Sequence, residues 1–316
     1  MAAADFPFRF LQYELTAILE DRDERTTSSR ADGPGGFEDN MTRSAKYVPD
    51  GFHSLTPYLV CGGVARLLDF LKEAFEAEET VRATRADGSI THACVRIGDS
   101  MLEMGEASGE WTPMPASLHL YVKDSTEVYQ RALRAGAESL YEPRDMDYGD
   151  HEGGIKDPSG NHWYIATHTS GKHFVPDGLR SITPGLSVKS AAEFLVFLER
   201  AFGASVAFQN ASPEGVVGHA KVQIGDSMLE CSEAHAEWGP RAMALHLYVP
   251  DADAVYKTAI SAGGKSLSEP TDQPYGERSG GVMDAGGNHW YIATHTENLT
   301  IEELSSRTAA HGESVK

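Results

Sequence analysis

The chain has 316 residues, 41% of them apolar, and 27 lysines and arginines against 47 aspartates and glutamates give a formal charge of −20. That length suits about two domains with ordinary cores, and a field of this sign repels phosphate backbones and anionic lipid, so neither nucleic acid nor membrane is an expected partner. With no run of about 18 apolar residues, no basic-plus-apolar leader, and cysteines (Cys61, Cys94, Cys231) outside any CxxC spacing, the expectation is a cytoplasmic protein without a disulfide framework or structural zinc.

Residues 1–50 read as an N-terminal extension. Phe6 to Glu20 is weakly amphipathic and is expected to form a helix resting on a domain surface, whereas Thr26 to Arg43 has the polar composition of a disordered segment. From residue 51 the chain is one unit written twice, over 51–170 and 181–297, with a linker at 171–180. IGDSMLE occupies Ile97 to Glu103 and again Ile224 to Glu230, an offset of 127 residues. The same offset carries His92 to His219, Trp111 to Trp238, His119 to His246, and GNHWYIATHT from Gly160 to Gly287. A constant offset means that no loop changed length between the copies, so both are expected to share one backbone.

Each copy opens on a short strand and then a helix, whose stripe is Val64, Leu67, Leu68, Leu71 and Phe75 in the first copy. In the second it is Ala191, Phe194, Leu195, Leu198 and Phe202, stopped by Gly203. Ala93, Val95 and Ile97 alternate with His92, Cys94 and Arg96 as a strand, Gly98-Asp99 turns the chain, and Met101 to Met104 continue as another. The order then restarts with Ser117 to Val122, followed by a helix from about Asp124, with Glu127 in capping position and Gly136 at its end. Pro143, Tyr148-Gly149, Gly153-Gly154 and Asp157-Pro158-Ser159-Gly160 read as turn punctuation before a last strand, Asn161 to Thr167. Every copy is therefore two βαβββ modules of an α+β fold with a concave mixed sheet. At the end, residues 298–316 hold a short helix capped by Thr300 with Glu303, then a tail.

TPYLV at Thr56, HACVRIGDSMLE from His92, SLHLYV at Ser117, DPSGNHWYIATH from Asp157 and their second-copy counterparts resemble the vicinal oxygen chelate superfamily, in its PhnB-like glyoxalase/bleomycin-resistance branch. The resemblance covers roughly residues 50 to 305 and implies two tandem domains. It also implies pairing of domains, which here the second copy would satisfy as an intramolecular pseudodimer.

Strand alternation gives one cleft-facing set per copy. In the first it is His92, Cys94, Arg96, Met101, Glu103, Ser117, His119, Tyr121, His162 and Tyr164, with Trp111 in a loop as a candidate wall. In the second it is His219, Lys221, Gln223, Met228, Glu230, Ala244, His246, Tyr248, His289 and Tyr291, with Trp238 as wall. Trp163 and Trp290 fall on the opposite face and are expected in the core. The loops Asp147-Tyr148-Gly149-Asp150 and Gln273 to Glu277 are candidate lids.

By the resemblance, the superfamily's metal positions fall on Thr56, Glu103, Ser117 and Tyr164, and on Thr183, Glu230, Ala244 and Tyr291. Only the glutamates are suitable ligands, so no cofactor is favoured. A displaced divalent site (Zn, Ni, Mn or Fe) at His92, Glu103 and His119, and at His219, Glu230 and His246, is the alternative. The expected function is binding of a small molecule, one cleft per domain. The competing reading is a lyase or isomerase with Glu103 and Glu230 as general bases.

Overall fold

The computed structural model describes residues 13–17, 46–85, 87–109, 111–236, 238–300, 303, 304, 306 and 307. A strand β1 (Tyr13–Ala17) precedes the first repeat, which runs β2 (Leu55–Cys61), α1 (Val64–Phe75), β3 (Glu78–Arg85), β4 (Ile90–Ile97) and β5 (Ser100–Glu106). Its second module is β6 (Ser117–Tyr121), α2 (Ser125–Arg134), β7 (Glu138–Asp145), β8 (Asp150–Lys156) and β9 (His162–His168). The second repeat follows the same order: β10 (Ile182–Val188), α3 (Ala191–Phe202), β11 (Ser205–Ala211), β12 (Val217–Ile224) and β13 (Ser227–Glu233). It closes with β14 (Ala244–Tyr248), α4 (Ala252–Ser261), β15 (Lys265–Gln273), β16 (Glu277–Met283) and β17 (His289–His295). The βαβββ modules and the α+β class are as expected. No helix among the described residues is long and apolar enough to cross a membrane.

The stripe of α1 is buried along its length, and so are Ala191, Phe194, Leu195 and Leu198 of α3, which ends on Gly203 at φ 64°. Each of these helices starts against a carboxylate that lies outside it. Glu106 accepts from the backbone N–H of Gly63 and Val64 at 2.7 and 2.9 Å, and Glu233 does the same for Ser190 and Ala191. Carboxylates there satisfy orphan donors and oppose the positive end of the helix. Glu106→Ala is expected to cost about 1–2 kcal/mol in urea unfolding, as loss of a helix cap does. Asp124 and Asp251 cap α2 and α4 at 2.9 Å, and Thr300 and Glu303 exchange both bonds of a capping box.

Several expectations change, among them Pro143, which lies inside β7 rather than in a turn. Residues 13–17 are not helical: β1 pairs antiparallel with β3, where an open sheet edge offers unpaired backbone groups to a short segment. The expected disorder of Thr26 to Arg43 lies outside the described residues. Gly153 and Gly154 are not a turn but the middle of β8. A Cβ on Gly153 would meet Pro143 and Tyr129 at 2.9–3.0 Å, and one on Gly154 would meet the Tyr141 ring at 2.4 Å, so close packing on both faces selects glycine.

The principal finding is how the modules pair. One sheet has the order β1-β3-β4-β5-β2-β14-β17-β16-β15 and the other β11-β12-β13-β10-β6-β9-β8-β7. Each sheet thus joins the first module of one repeat to the second module of the other, through antiparallel seams β2 with β14 and β10 with β6. Within a repeat the contact is on the helical side: α1 packs on α2 and α3 on α4. There the Phe75 and Trp163 rings lie 4.8 Å apart, and Phe202 and Trp290 4.6 Å. Both tryptophans are fully buried and donate their indole N–H, at 2.9 Å, to Asp157 and Asp284.

The repeated IGDS turn latches the repeats together. Asp99 and Ser100 accept the backbone N–H of Ser181 and Ile182 at 2.8 and 3.0 Å, while Asp226 and Ser227 accept those of Ser54 and Leu55 at 2.7 and 3.0 Å. Gly98 and Gly225 hold φ near 60°, and a Cβ on either would lie 2.2 Å from the serine hydroxyl opposite, so only glycine fits both demands.

Candidate functional site

The exchanged pairing redistributes the cleft residues. The first cleft, on the sheet of β4, β5, β2, β14, β17 and β16, gathers His92, Glu103, His246, Tyr248, His289, Tyr291 and Trp111. The second, on the sheet of β12, β13, β10, β6, β9 and β8, gathers His219, Lys221, Glu230, Ser117, His119, Tyr121, His162, Tyr164 and Trp238. The expectation of a cleft within each repeat is therefore corrected. Every cleft takes residues from both repeats, and the trios His92, Glu103, His119 and His219, Glu230, His246 are both split between sheets. Arg96 is exposed and ion-paired with Glu78, and Gln223 is exposed and donates to the Gly225 carbonyl at 3.2 Å, so neither enters a cleft centre. Gln223 instead borders a shallow recess of about 260 Å³ against the linker residues Gly178 to Arg180.

At the floor of each cleft one imidazole is clamped between two carboxylates from different repeats. In the first cleft His246 Nδ1 is 2.9 Å from Glu103 and Nε2 is 3.5 Å from Glu277, whose other oxygen accepts the Tyr248 hydroxyl at 2.9 Å. Burial disfavours the charged imidazole, but Glu103 and Glu277 outweigh it and carry His246 up to about 10. Burial likewise pushes Glu103 up, and the attraction and hydrogen bond of His246 overcome it, leaving the carboxyl below its ordinary range. His92, beside the same carboxylate, goes the other way: burial prevails and its pKa is lowered. Cys94 Sγ lies 3.3 Å from His92 Nε2, and burial, then Glu103, push the thiol well above its ordinary value, so it is not a thiolate nucleophile.

In the second cleft His119 Nδ1 is 3.2 Å from Glu230 and Nε2 is 2.7 Å from Glu152, which also accepts the Tyr141 hydroxyl. Burial opposes the charge here too, and the hydrogen bonds of Glu152 and Glu230 raise His119 to about 10. Burial would raise Glu230, yet His119 holds it at about 2. His219 Nε2 and Lys221 Nζ flank the far oxygen of Glu230 at 3.6 and 3.5 Å. Burial, then Lys221 and His119, leave the His219 imidazole low against the pull of Glu230. Asp150 accepts from Tyr121 at 3.1 Å and pairs with His168 at 2.6 Å.

Sequence reasoning missed the second carboxylate of each clamp. Glu277 and Asp150 open β16 and β8, at the ends of segments read as lids, and Glu152 sat beside glycines read as a turn. The available signal was the alternation Asp150/Glu152 and Glu277/Ser279 along a strand. The 127-residue offset pairs Glu277 with Asp150 and Ser279 with Glu152, so the clamp has moved two residues along the strand between clefts.

The clefts also differ in how full they are. Tyr58 reaches into the first with its hydroxyl 3.3 Å from His92 Nδ1 and its ring 5.5 Å from that of Tyr291. With Val60, Ala244, Tyr291, Trp111 and Met114 it forms an apolar cluster over the clamp. Gly105 admits the phenol, since a Cβ there would lie 2.3 Å from the Tyr58 hydroxyl. In the second cleft the counterparts of Tyr58, Val60, Ala244, Met114 and Gly105 are Gly185, Ser187, Ser117, Arg241 and Ser232. A Cβ on Gly185 would find only the Ser117 carbonyl, at 3.9 Å. His119, Tyr141 and Tyr164 are partly exposed, whereas His246 and Tyr291 are buried.

Regrouped by sheet, the superfamily's metal positions are Thr56, Glu103, Ala244 and Tyr291 in one cleft and Thr183, Glu230, Ser117 and Tyr164 in the other. Each offers one carboxylate, committed to a protonated imidazole, and does not fit a catalytic divalent ion that needs about three imidazole or carboxylate ligands. Two other groups bring candidate ligand atoms within 4.8 Å of one another: His92, Cys94 and Glu103, and His119, Asp150 and Glu152. In the latter His119 Nε2 already lies 2.7 Å from Glu152, and the former is not shared, since Lys221 stands where Cys94 does.

The family model for the Glyoxalase/Bleomycin resistance protein/Dioxygenase superfamily matches residues 51–165 and 173–292. An uncharacterized protein of Mycobacterium tuberculosis is 34% identical over 123 residues, covering 35% of this chain and 72% of that protein. A glyoxalase I mutant from Zea mays superposes with a TM-score of 0.58 at 15% identity, covering 80% of this chain and 94% of its own. A putative dioxygenase from Bacillus subtilis gives 0.52 at 14% identity, covering 85% and 97%. At these identities the structural likenesses speak to the fold.

Proposed function

Because the chain belongs to the Glyoxalase/Bleomycin resistance protein/Dioxygenase superfamily, we propose that it is a small-molecule-binding protein of the PhnB-like, bleomycin-resistance type that works without the superfamily's metal site. The observation that carries this reading is the contrast at one register position: Tyr58 fills the first cleft, and Gly185 leaves the second without that side chain. The second cleft is then the binding cleft, with Trp238 and Tyr164 as its aromatic wall, their rings 5.9 Å apart. Apolar walls with a few fixed polar groups are what a small-molecule site requires.

The competing reading makes Glu103 or Glu230 the general base of a lyase or isomerase. A base works best with a pKa near the operating pH, and both carboxylates are held below the ordinary range by their imidazoles. The clamp suits fixed electrostatics better than proton abstraction.

A thermal-shift screen of small metabolites, repeated on Gly185→Tyr combined with Ser232→Gly, tests the binding reading. That double change installs the Tyr58/Gly105 pair in the second cleft. Compounds that stabilise the parent protein are expected to lose their effect on the variant, and retention of every hit would place binding elsewhere. Metal analysis of protein purified without chelators is expected to give well under one equivalent per chain, and a stoichiometric metal would overturn the metal-free part.

A further inference from the structure

We propose that the second cleft selects small organic anions, with a flat apolar body against Trp238 and Tyr164 and an acid group on Arg241; this rests on the binding reading above. Arg241 occupies the bridge position opposite Ser187, as Met114 does opposite Val60 in the first cleft. There the methionine closes an apolar cluster, whereas here a guanidinium stands at the rim of a cleft opened by Gly185.

That guanidinium is half-buried, and its contacts are a ring nitrogen and a carbonyl: His162 Nε2 at 3.0 Å and the Gly160 oxygen at 3.5 Å. Among the described residues no carboxylate lies within ion-pair distance of it, in a chain with an excess of 20 acidic groups. Lys221 and His119, the other cations of this cleft, are both spoken for by Glu230 and Glu152. His162 is no competitor for an anion, because burial, then Arg241, lower it to about 4 and keep it neutral. A partly desolvated arginine without a carboxylate is an incomplete pair, and an acid-bearing ligand completes it with a charge-assisted, often bidentate contact. Ser187 and Ser117 stand where the first cleft has Val60 and Ala244, and they hold the aromatic wall: the Ser187 hydroxyl donates to the Trp238 carbonyl at 2.9 Å, and Ser117 bonds Tyr164. These four lining differences replace the apolar cover of the first cleft with a glycine, two serines and a guanidinium.

Two dyes of nearly the same aromatic shape separate the anion from the cavity: 8-anilinonaphthalene-1-sulfonate carries an acid group and N-phenyl-1-naphthylamine does not. Fluorescence titration of the full chain is expected to show one sulfonate-dye site per chain. Arg241→Met, which copies the first cleft, should weaken that dye by about tenfold or more, the scale of a hydrogen bond to a charged group, and leave the uncharged dye within about twofold. Gly185→Tyr with Ser232→Gly should abolish both, with near-ultraviolet circular dichroism confirming native packing. Equal effects of Arg241→Met on both dyes, or none on either, overturn the anion selectivity while the cleft reading stands. Unchanged binding of both dyes to the tyrosine variant overturns the cleft reading itself, and failure of the parent chain to bind either dye overturns the proposal.

Discussion

His246→Ala is expected to lower the unfolding free energy by about 3–5 kcal/mol, the range for removing one partner of a buried ion pair. The reason is what remains. Glu103 and Glu277, 5% and 7% exposed, would face each other across the vacated space without their shared cation. Two carboxylates left in low dielectric cannot both stay ionised, so at least one takes up a proton at neutral pH. Urea denaturation at pH 7 measures the loss. Adding Glu103→Gln to His246→Ala should recover part of it, because Glu277 is then the one carboxylate of the clamp left without a cation and no longer faces a second. A loss under about 1 kcal/mol for the single variant would mean that the clamp is not a buried ion pair.

Across pH, stability is expected to peak near 6.5 and to fall by several kcal/mol toward pH 10. His119 and His246 stand at about 10 in the fold against an ordinary 6.5, so the folded state holds protons that the unfolded chain has released. Their contribution is complete below 6.5 and erodes as pH rises through 10. On the acid side the sign reverses. His92, His162 and His219 are held low, so below 6.5 the unfolded chain takes protons that the fold refuses. Below 4.5, Glu230 adds to this limb, because its contribution is lost as pH falls through about 2. Urea midpoints measured from pH 4 to 10 give the profile. His119→Gln and His246→Gln should each flatten the alkaline limb, and a parent profile that is level or rising between pH 6.5 and 9 would contradict the clamp charges.

The modules and the latching turn were legible because each rests on local signals: a 3.6-residue stripe in α1, period-two alternation in β4, and glycine with aspartate at a turn. Which module pairs with which was not. His92 and Glu103 alternate identically whether their sheet continues into β6 or β14, so the cleft partner His246 could not be told from His119 by pattern alone. The second carboxylates escaped for a related reason. Gly153-Gly154 reads as a turn unless one knows that Tyr129, Pro143 and Tyr141 press on β8. Tyr58 and Gly185 lay in plain view, one in TPYLV and the other in TPGLS. Their difference acquires meaning only when the first is seen beside His92 and the second beside nothing but a carbonyl.

The exchange of modules between repeats has an evolutionary corollary. Two separate copies of one such unit would associate as a homodimer with two identical sites, in which any substitution appears twice. A plug like Tyr58 would then close both sites together, and an opening like Gly185 would leave neither sealed. Covalent fusion breaks that symmetry: every sheet becomes a heterologous pairing, and each half can drift toward its own role while the other half anchors it. One site is filled by Tyr58, while the other has Gly185 at the same position.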